Sequence, residues 1–536
     1  MGTVTAYDYI IIGDGTAGAT LARKLSDMKN GRFVNSVLVL EWGINRTADP
    51  IVENPNPLSS TSGELVDPPY SYLTAANTNF PSPGNVTTYS DALMWGGGSS
   101  HNGLACVRGT KRIYDRWAKI SGNDQWRYDN LLPLMIGLEY FTPNSTTPFN
   151  PLQHGNSGPL FVTQPPALNP GNPFDSLMQQ ALEVPFINDP NDPTDGPFGV
   201  STTSLYVTPP YGSARSVRSS SATAFLPVGT IVDGNGKGLD GRKLTIVSNA
   251  LVNRLLIRNG RADGVVYWPN GNSSQATTVY GDQIILCAGA VSSPAILERS
   301  GVGDGNRLRP LDIPVIVDNH NVGKHLTNQY AATVIATGYQ TSGIPYFVAY
   351  TNGLPANGFT DDVRRLQVGA LNIPNAVYFA GNLVLPQSRG DVHITSASPV
   401  DSKGNVHVLI NLNMYSDYGG DYTVNGSDAN LTVNFLQLML DTYGQTATGL
   451  PTGGPAALMQ YAKSLSSSSI EEHITGTTRM GRSEVDSVVD ANLNVFGLKN
   501  VKIADIGIEP VNTDGNTAYG AFVIGLAAAQ IILGGH

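Results

Sequence analysis

The first forty residues combine two apolar runs with a helical pattern and predict a β-α-β unit. Residues 7–12 and 36–40 are typical of buried strands, and residues 16–28 carry apolar side chains at helical spacing. Further apolar runs near 283–288 and 500–504 are each followed by a turn rich in Gly or Pro and then by a helical pattern. Strands of this kind, drawn from distant parts of the chain, predict a parallel sheet.

Two intervening stretches, roughly 160–235 and 325–470, have a different character. They are rich in Tyr, Thr, Asn, Pro and Gly, and they contain short alternating runs at 391–395 and 406–410. This alternation is typical of antiparallel sheet.

The predicted fold class is therefore α/β, or α+β overall, with a Rossmann-like parallel-sheet domain and an inserted domain built on an antiparallel sheet. We expect the first domain to be discontinuous, comprising residues 1–160, 236–324 and 474–536, and the inserted domain to comprise residues 161–235 and 325–473.

Composition and charge exclude several classes of partner. The chain has 536 residues, a formal net charge of −10 and no run of Lys and Arg, so a nucleic acid is not expected to bind. Its two cysteines and eight histidines show no metal-ligand spacing, and no metal site is predicted. The apolar residues 518–533 are short and contain two glycines and a glutamine, which favours a buried helix over a membrane span.

No signal peptide is visible at the N-terminus, because the first predicted strand begins almost at once. A soluble protein is expected, and secretion would require that a signal peptide had been removed. The sequence indicates neither the localisation nor the oligomeric state of the protein.

A glycine-rich turn joins the first predicted strand to the first predicted helix. Its pattern is Gly13-x-Gly15-x-x-Gly18, in which glycines allow a tight turn and let backbone amides approach a pyrophosphate. Glu41 ends the second strand, where a carboxylate accepts hydrogen bonds from a ribose; it also disfavours a 2′-phosphate, which leaves FAD or NAD. The predicted cofactor contacts here are Gly13, Gly15, Thr16, Ala17, Gly18, Glu41 and Trp42. The alternative is an ordinary Gly-rich turn with a solvated Glu41.

Three longer motifs resemble those of the glucose-methanol-choline oxidoreductase family. They are Gly96-Gly-Gly-Ser-Ser-His-Asn-Gly103 with the following Arg108 to Trp117, Gly289-Ala-Val-Ser-Ser-Pro-Ala-Ile-Leu-Glu-Arg-Ser-Gly-Val-Gly303, and His473-Ile-Thr-Gly-Thr-Thr-Arg-Met-Gly481. Shorter matches at 322–326, 388–390 and 504–505 follow the family's order, so the resemblance spans essentially the whole chain. The resemblance implies FAD as the cofactor and makes the two predicted domains an FAD-binding and a substrate-binding domain. It implies further FAD contacts at Gly97, Gly98, Ser99, His101, Asn102, Gly103, Val252, Ala288, Asp505, Ile506, Asn516 and Thr517.

The same resemblance implies that His473 and Asn516 are the catalytic pair that faces the flavin. A neutral imidazole that takes the hydroxyl proton makes hydride loss from the alcohol carbon easier, and Asn516 can hydrogen-bond the same oxygen. The alternative is a structural histidine and an asparagine in a capping loop. Thr517 stands where relatives usually have proline, so the backbone of this loop is in question.

His101 distinguishes this chain from most of the family. Members resembling choline oxidase and pyranose dehydrogenase have histidine at this position and bond it covalently to the flavin, so the resemblance implies a covalent link through His101. The alternative is a histidine that only hydrogen-bonds nearby.

Glu472 precedes the expected base at a position where relatives contact substrate. Its carboxylate could bind sugar hydroxyls or a cation, or it could cap a helix through the Ser469-x-x-Glu472 spacing. The expected reaction is oxidation of a small alcohol, either a sugar or an aryl or other primary alcohol, with oxygen or another electron acceptor reoxidising the flavin. The alternative function is a lyase of the same fold, similar to hydroxynitrile lyases, that uses FAD only structurally.

Overall fold

The computed structural model describes residues 6–55, 71–74, 88–90, 93–209, 215–340, 347–417, 419, 421–465 and 471–534. The strands of these residues are β1 Ala6–Ile12, β2 Val37–Leu40, β3 Ser71–Thr74, β4 Thr88–Ser90, β5 Glu139–Thr142, β6 Leu160–Thr163, β7 Gly199–Thr202, β8 Leu244–Val247, β9 Ala250–Arg258, β10 Arg261–Pro269, β11 Thr277–Leu286, β12 Val302–Gly303, β13 Val317–Asp318, β14 Tyr330–Thr337, β15 Phe347–Thr351, β16 Leu366–Ile373, β17 Ala376–Leu383, β18 Asp391–Ile394, β19 Val408–Asn411, β20 Ala447–Thr448 and β21 Val501–Ile503. The α-helices are α1 Thr16–Ser26, α2 Pro50–Glu53, α3 Lys111–Ser121, α4 Tyr128–Leu138, α5 Pro173–Leu182, α6 Ser221–Phe225, α7 Gly289–Arg299, α8 Gly305–Leu308, α9 Asp428–Tyr443, α10 Pro455–Ser464 and α11 Ala518–Leu533.

A seven-stranded sheet contains the predicted parallel strands. Its order is β8-β2-β1-β11-β10-β9, and β21 also pairs with β11. The strands β8, β2, β1, β11 and β21 run parallel, whereas β9 and β10 add an antiparallel meander. Strand β2 and the end of β1 are buried and apolar, as their continuous apolar runs predict.

Helix α1 follows β1 directly and ends two residues earlier than the sequence pattern predicts. Asp27 has extended backbone angles, and its carboxylate accepts hydrogen bonds from Arg23 and Arg242 (2.7 and 2.8 Å). The extended backbone of Asp27 ends the helix at Ser26, and the contact with Arg242 holds Asp27 against the segment before β8. The apolar residues 518–533 form α11, which packs against α1 so closely that a Cβ on Gly525 would lie 2.6 Å from the carbonyl oxygen of Ala17. Within the described residues no helix is long and apolar enough to cross a membrane.

The antiparallel sheet of the second part has six strands in the order β20-β14-β17-β16-β15-β7. Strands β18 and β19, which contain the two alternating runs, do pair in antiparallel fashion, but they lie in a separate four-stranded sheet with β3 and β4. The reason is that β19 pairs in parallel with β3, a strand from the N-terminal part of the chain. The predicted fold class is confirmed, and the exact domain boundaries remain a prediction.

The described residues contain two large hydrophobic cores. One surrounds the seven-stranded sheet, and the other lies between the six-stranded sheet and α5, α9 and α10. Buried residues between Leu205 and Val232 belong to the first core, although the sequence-based boundaries assign them to the inserted domain.

Candidate active site

One cavity of about 720 Å³ extends from the glycine-rich turn to the six-stranded sheet. Every residue predicted to bind cofactor or substrate or to act in catalysis lines it, with the exception of Gly18 and Ser99. Residues more than 500 positions apart therefore face a common space. Their individual environments show what each can do.

The three glycines of the first turn have different physical roles. Gly13 has a φ of 99°, and a Cβ there would lie 2.5 Å from the carbonyl oxygen of Cys287. Gly18 does not line the cavity, because it lies at the contact between α1 and the turn. A Cβ at Gly18 would lie 2.1 Å from the carbonyl oxygen of Gly13. At Gly15 a Cβ would meet nothing nearer than 4.0 Å, so this glycine exposes the first turn of α1 to the cavity.

Glu41 ends β2 and lies beside the same turn. Its Oε2 accepts from the backbone N–H of Asp14 and its Oε1 from the backbone N–H of Gly43, both at 2.6 Å. Glu41 also lines the cavity, so its carboxylate lies beside the space next to the turn. These contacts hold Glu41 where an adenosine ribose would lie if a pyrophosphate bound over Gly15.

The segment from Gly97 to Asn102 is held in place by hydrogen bonds to distant residues. The Ser99 hydroxyl donates to the Gly96 carbonyl (2.7 Å) and accepts from the backbone N–H of Ser221 (2.9 Å), which explains why Ser99 is buried behind the cavity wall. The buried Arg218 donates to the carbonyl and the side-chain oxygen of Asn102 (2.7 and 2.8 Å). The segment is therefore a rigid wall of the cavity.

His101 and Glu472 meet inside the cavity. Nε2 of His101 lies 3.3 Å from Oε2 of Glu472, whereas Nδ1 of His101 is buried. The Nε2 edge is thus the side of the ring that faces the cavity. Ser469, the other end of the alternative capping box, lies outside the described residues.

His473 is held by two residues that directly precede β14. Its backbone N–H donates to Oδ1 of Asn328 (3.1 Å), and its Nδ1 lies 2.8 Å from Oε1 of Gln329. Although part of the ring faces the cavity, its removal from bulk water lowers the pKa of His473 to about 4. The imidazole is therefore neutral at physiological pH.

The contacts of Gln329 determine which nitrogen of His473 carries the proton. Nε2 of Gln329 lies within hydrogen-bond distance of the carbonyl oxygens of Val384, Thr513 and Gly515 (3.1, 2.9 and 2.9 Å), which share its two N–H donors. Because carbonyl oxygens only accept, the group that faces them must be the NH₂, and the group that faces His473 must be the amide oxygen. Nδ1 of His473 therefore carries the hydrogen, and Nε2 presents a lone pair that can accept a proton.

Asn516 lies in the loop before α11 and contacts the six-stranded sheet. Its Oδ1 accepts from Nε2 of Gln367 on β16 (3.2 Å), so its Nδ2 can donate to an oxygen in the cavity. The next residue, Thr517, has a φ of −83°, close to the value that a proline ring imposes, so the threonine does not redirect the loop.

Two further carboxyl groups affect the electrostatics of the cavity. Burial raises the pKa of Asp505 to about 6, and its carboxylate accepts from the backbone N–H of Gly289 and Gly507 (3.0 and 2.9 Å). Asp505 thereby fixes the start of α7. Burial and the neighbouring Glu472 raise the pKa of Glu471 to about 7.

Sequence reasoning did not identify Gln329, Gln367, Glu471 or the sheet wall of the cavity. No local motif marks them: Gln329 stands in a polar stretch like many others, and Gln367 is one of two polar residues in a mostly apolar strand. Among the described residues, the group that best resembles a metal site is Asp304, Asp318 and His320 at the surface, away from the cavity. The absence of a metal site stays a prediction.

Comparison with known proteins identifies the family. Residues 7–331 match the N-terminal model and residues 386–525 the C-terminal model described as GMC oxidoreductase. The chain is 29% identical to an oxygen-dependent choline dehydrogenase from Pseudomonas syringae pv. tomato, with 96% of this chain and 91% of that protein covered. It is 28% identical to a 5-(hydroxymethyl)furfural oxidase from Methylovorus sp. strain MP688, with 99% of each covered.

Solved structures show the same fold. A pyridoxine 4-oxidase from Mesorbium loti superimposes with a TM-score of 0.80 at 24% identity, covering 99% of this chain and 100% of that one. A fungal aryl-alcohol oxidase superimposes with a TM-score of 0.75 at 18% identity, covering 99% of both chains. At these identities the structures establish the fold alone, whereas the two family models cover most of the sequence. The chain therefore belongs to the GMC oxidoreductase family.

Proposed function

We propose that this protein is an FAD-dependent oxidoreductase that oxidises a small alcohol, with His473 as the base that accepts the hydroxyl proton. The observation that carries the proposal is the hydrogen-bond arrangement around Gln329, which leaves Nε2 of His473 unprotonated, together with the low pKa of that ring. The tautomer presents a lone pair to the cavity, and the low pKa keeps the ring unprotonated at neutral pH, as a general base must be before it accepts a proton.

The cavity fits FAD at the end formed by the first domain. We assign the pyrophosphate to the turn around Gly15 at the start of α1, and the ribose to Glu41, whose carboxylate lines the cavity beside this turn. When bound, FAD supplies a two-electron acceptor for the hydride of the alcohol carbon. The residues of the chain bind the substrate and accept the proton of its hydroxyl group.

In this proposal Asn516 and His473 bind the same substrate oxygen. Nδ2 of Asn516 donates to that oxygen, and Nε2 of His473 accepts its hydrogen, so the hydroxyl is held in one orientation. As the proton moves to Nε2 the ring becomes positive, and the Nδ1–H hydrogen bond to Gln329 then strengthens. The substrate identity and the electron acceptor, oxygen or another compound, belong to the proposal as well.

The test is anaerobic loss of yellow flavin absorbance on mixing with a panel of alcohols and sugars. We expect at least one alcohol to bleach the flavin in the dark, and rapid recolouring on admission of air would identify an oxidase. The variant His473→Ala should bleach slowly, whereas His320→Ala, a surface histidine that does not line the cavity, should behave as wild type. A flavin that no alcohol reduces would contradict the proposal and favour the lyase alternative.

We further propose that His101 is bonded covalently to the flavin. The support is that its Nε2 edge faces the cavity, beside Glu472, in a rigid wall. Acid precipitation tests it: the yellow colour should stay with the precipitated protein and should be released from His101→Asn. Colour in the supernatant of the wild-type protein would refute the link.

A further inference from the structure

The wall of the cavity formed by β16 and β17 has a regular composition. Strand pairing places Gln367 opposite Asn382, Gly369 opposite Ala380, and Leu371 opposite Tyr378, and all six residues line the cavity. They form three cross-strand rows, because alternate residues of a strand point to the same face of a sheet. The opposite face, which includes Phe379 and Gly381, packs against α9.

Packing within the protein does not explain why the middle row, Gly369 and Ala380, has small side chains. At Gly369 φ is not positive, and an added Cβ would meet nothing nearer than the carbonyl oxygen of Ala380 at 4.0 Å. At Gly381 on the opposite face, a Cβ would lie 2.6 Å from the ring of Phe435. Gly381 is thus required by packing, whereas Gly369 leaves open space in a strand interior, where glycine costs stability.

The rows also differ in polarity along the strands. The row of Gln367 is polar and contacts Asn516, which the proposed function places on the substrate oxygen. Successive rows are about 7 Å apart, because a strand rises about 3.4 Å per residue. The body of a substrate whose hydroxyl lies at Asn516 therefore reaches the small middle row first and then the apolar row of Leu371 and Tyr378.

The charges of the lining residues restrict the substrate further. Glu471 and Glu472 line the cavity near this wall. Among the described lining residues Arg299 is the one Lys or Arg, and it donates to the carbonyl of Asn253 in β9. A substrate carboxylate at this wall would therefore face carboxylates, and no other Lys or Arg among the described lining residues would compensate it.

We propose, on the basis of the alcohol oxidation proposed above, that the substrate is a primary alcohol on a flat ring that bears no carboxylate, and that its ring lies over Gly369 and Ala380. A flat apolar ring fits two small side chains followed by a leucine and a tyrosine. A sugar would leave most of its hydroxyl groups without partners on these two rows.

The test compares four probes by kcat/KM and by the anaerobic rate of flavin reduction: 4-methoxybenzyl alcohol, 4-(hydroxymethyl)benzoate, allyl alcohol and D-glucose. We expect wild-type protein to prefer 4-methoxybenzyl alcohol over the benzoate and over glucose by at least about tenfold. In Gly369→Val the added side chain occupies the space of the ring, so kcat/KM for 4-methoxybenzyl alcohol should fall by about tenfold or more while that for allyl alcohol changes by less than about threefold.

Two controls separate the filling of the cavity from damage to the fold. Valine is favoured in strands, so Gly369→Val should keep the melting temperature of the wild type, whereas Gly381→Ala should lower it. If Gly369→Val fails to fold, Ala380→Val in the same row provides the same comparison.

The inference is overturned if glucose or the benzoate is the best of the four probes, or if the valine variant loses activity equally on the large and the small alcohol. Both outcomes still require reduction of the flavin by some alcohol. They are therefore distinct from failure of the proposed function, in which no alcohol bleaches the flavin.

Discussion

Replacing Gln329 by methionine would remove the acceptor of the Nδ1–H group of His473 while keeping an unbranched side chain of similar length. Gln329 is 1% exposed and does not line the cavity, so the change acts through His473 and through the carbonyl oxygens within hydrogen-bond distance of its NH₂ group. If the amide oxygen orients the base, the rate of flavin reduction must fall.

The magnitude follows from the charge that His473 gains during the reaction. A neutral hydrogen bond contributes about 0.5–1.5 kcal/mol net and one to a charged group about 1.5–3 kcal/mol, so the bond to Gln329 strengthens by roughly 1–1.5 kcal/mol as the ring becomes positive. At about 1.4 kcal/mol per factor of ten, the rate should fall about 5- to 12-fold. Loss of the NH₂ group that faces the three carbonyl oxygens should also lower the free energy of unfolding by about 1–3 kcal/mol.

The assay is anaerobic stopped-flow reduction of the flavin over a range of alcohol concentrations. We expect the limiting rate to fall and the apparent Kd of the alcohol to stay within about twofold, because a merely loosened cavity would weaken binding instead. Gln164→Met is the matched control: Gln164 is buried, accepts from the backbone N–H of Asn144 (3.2 Å) and does not line the cavity, so its replacement should change stability without changing the rate.

A limiting rate for Gln329→Met within twofold of the wild-type rate, in a protein that is folded and yellow, would refute the role of Gln329 in orienting the base. It would mean that the tautomer and the orientation of His473 are set by other contacts. The proposed base would then need a different positioning residue.

Four further expectations follow from the same structure. His473→Ala should slow flavin reduction by about 10²- to 10⁴-fold, the usual effect of losing a general base. The rate of flavin reduction in wild-type protein should be flat through neutral pH and fall only as the pH drops through about 4, because only the neutral ring accepts a proton; an acid limb near 6.5 in the pH profile would contradict the lowered pKa of His473. Gly18→Ala should purify with little flavin absorbance per protein, because the added Cβ would lie 2.1 Å from the carbonyl oxygen of Gly13. Arg108→Met should lower the free energy of unfolding by about 1.5–3 kcal/mol in denaturant titrations, because it removes a buried guanidinium 2.7 Å from the Glu139 carboxylate, which keeps His154 and Tyr519 as partners.

The sequence predicted those features that depend on neighbouring residues. The β-α-β unit at the start of the chain, the helical residues 518–533 and the parallel sheet follow from apolar periodicity, which reports which faces of an element are buried. The glycine-rich turn is similarly local, since Gly13 and Gly18 are needed by the path of the turn itself. The family motifs then carried the remaining candidate residues. Ser99 from these motifs and Gly18 from the turn lie behind the cavity wall.

Only the tertiary structure decided how these residues act on one another. Gln329 orients His473 across 144 positions of the chain, and Gln367 contacts Asn516 across 149. Such contacts depend on where strands from distant segments end in space, and a single polar residue in a strand gives no local signal of them. Periodicity therefore determined which elements form, whereas the tautomer of the base and the three rows of the substrate wall arise from the register between strands, which a linear pattern does not encode.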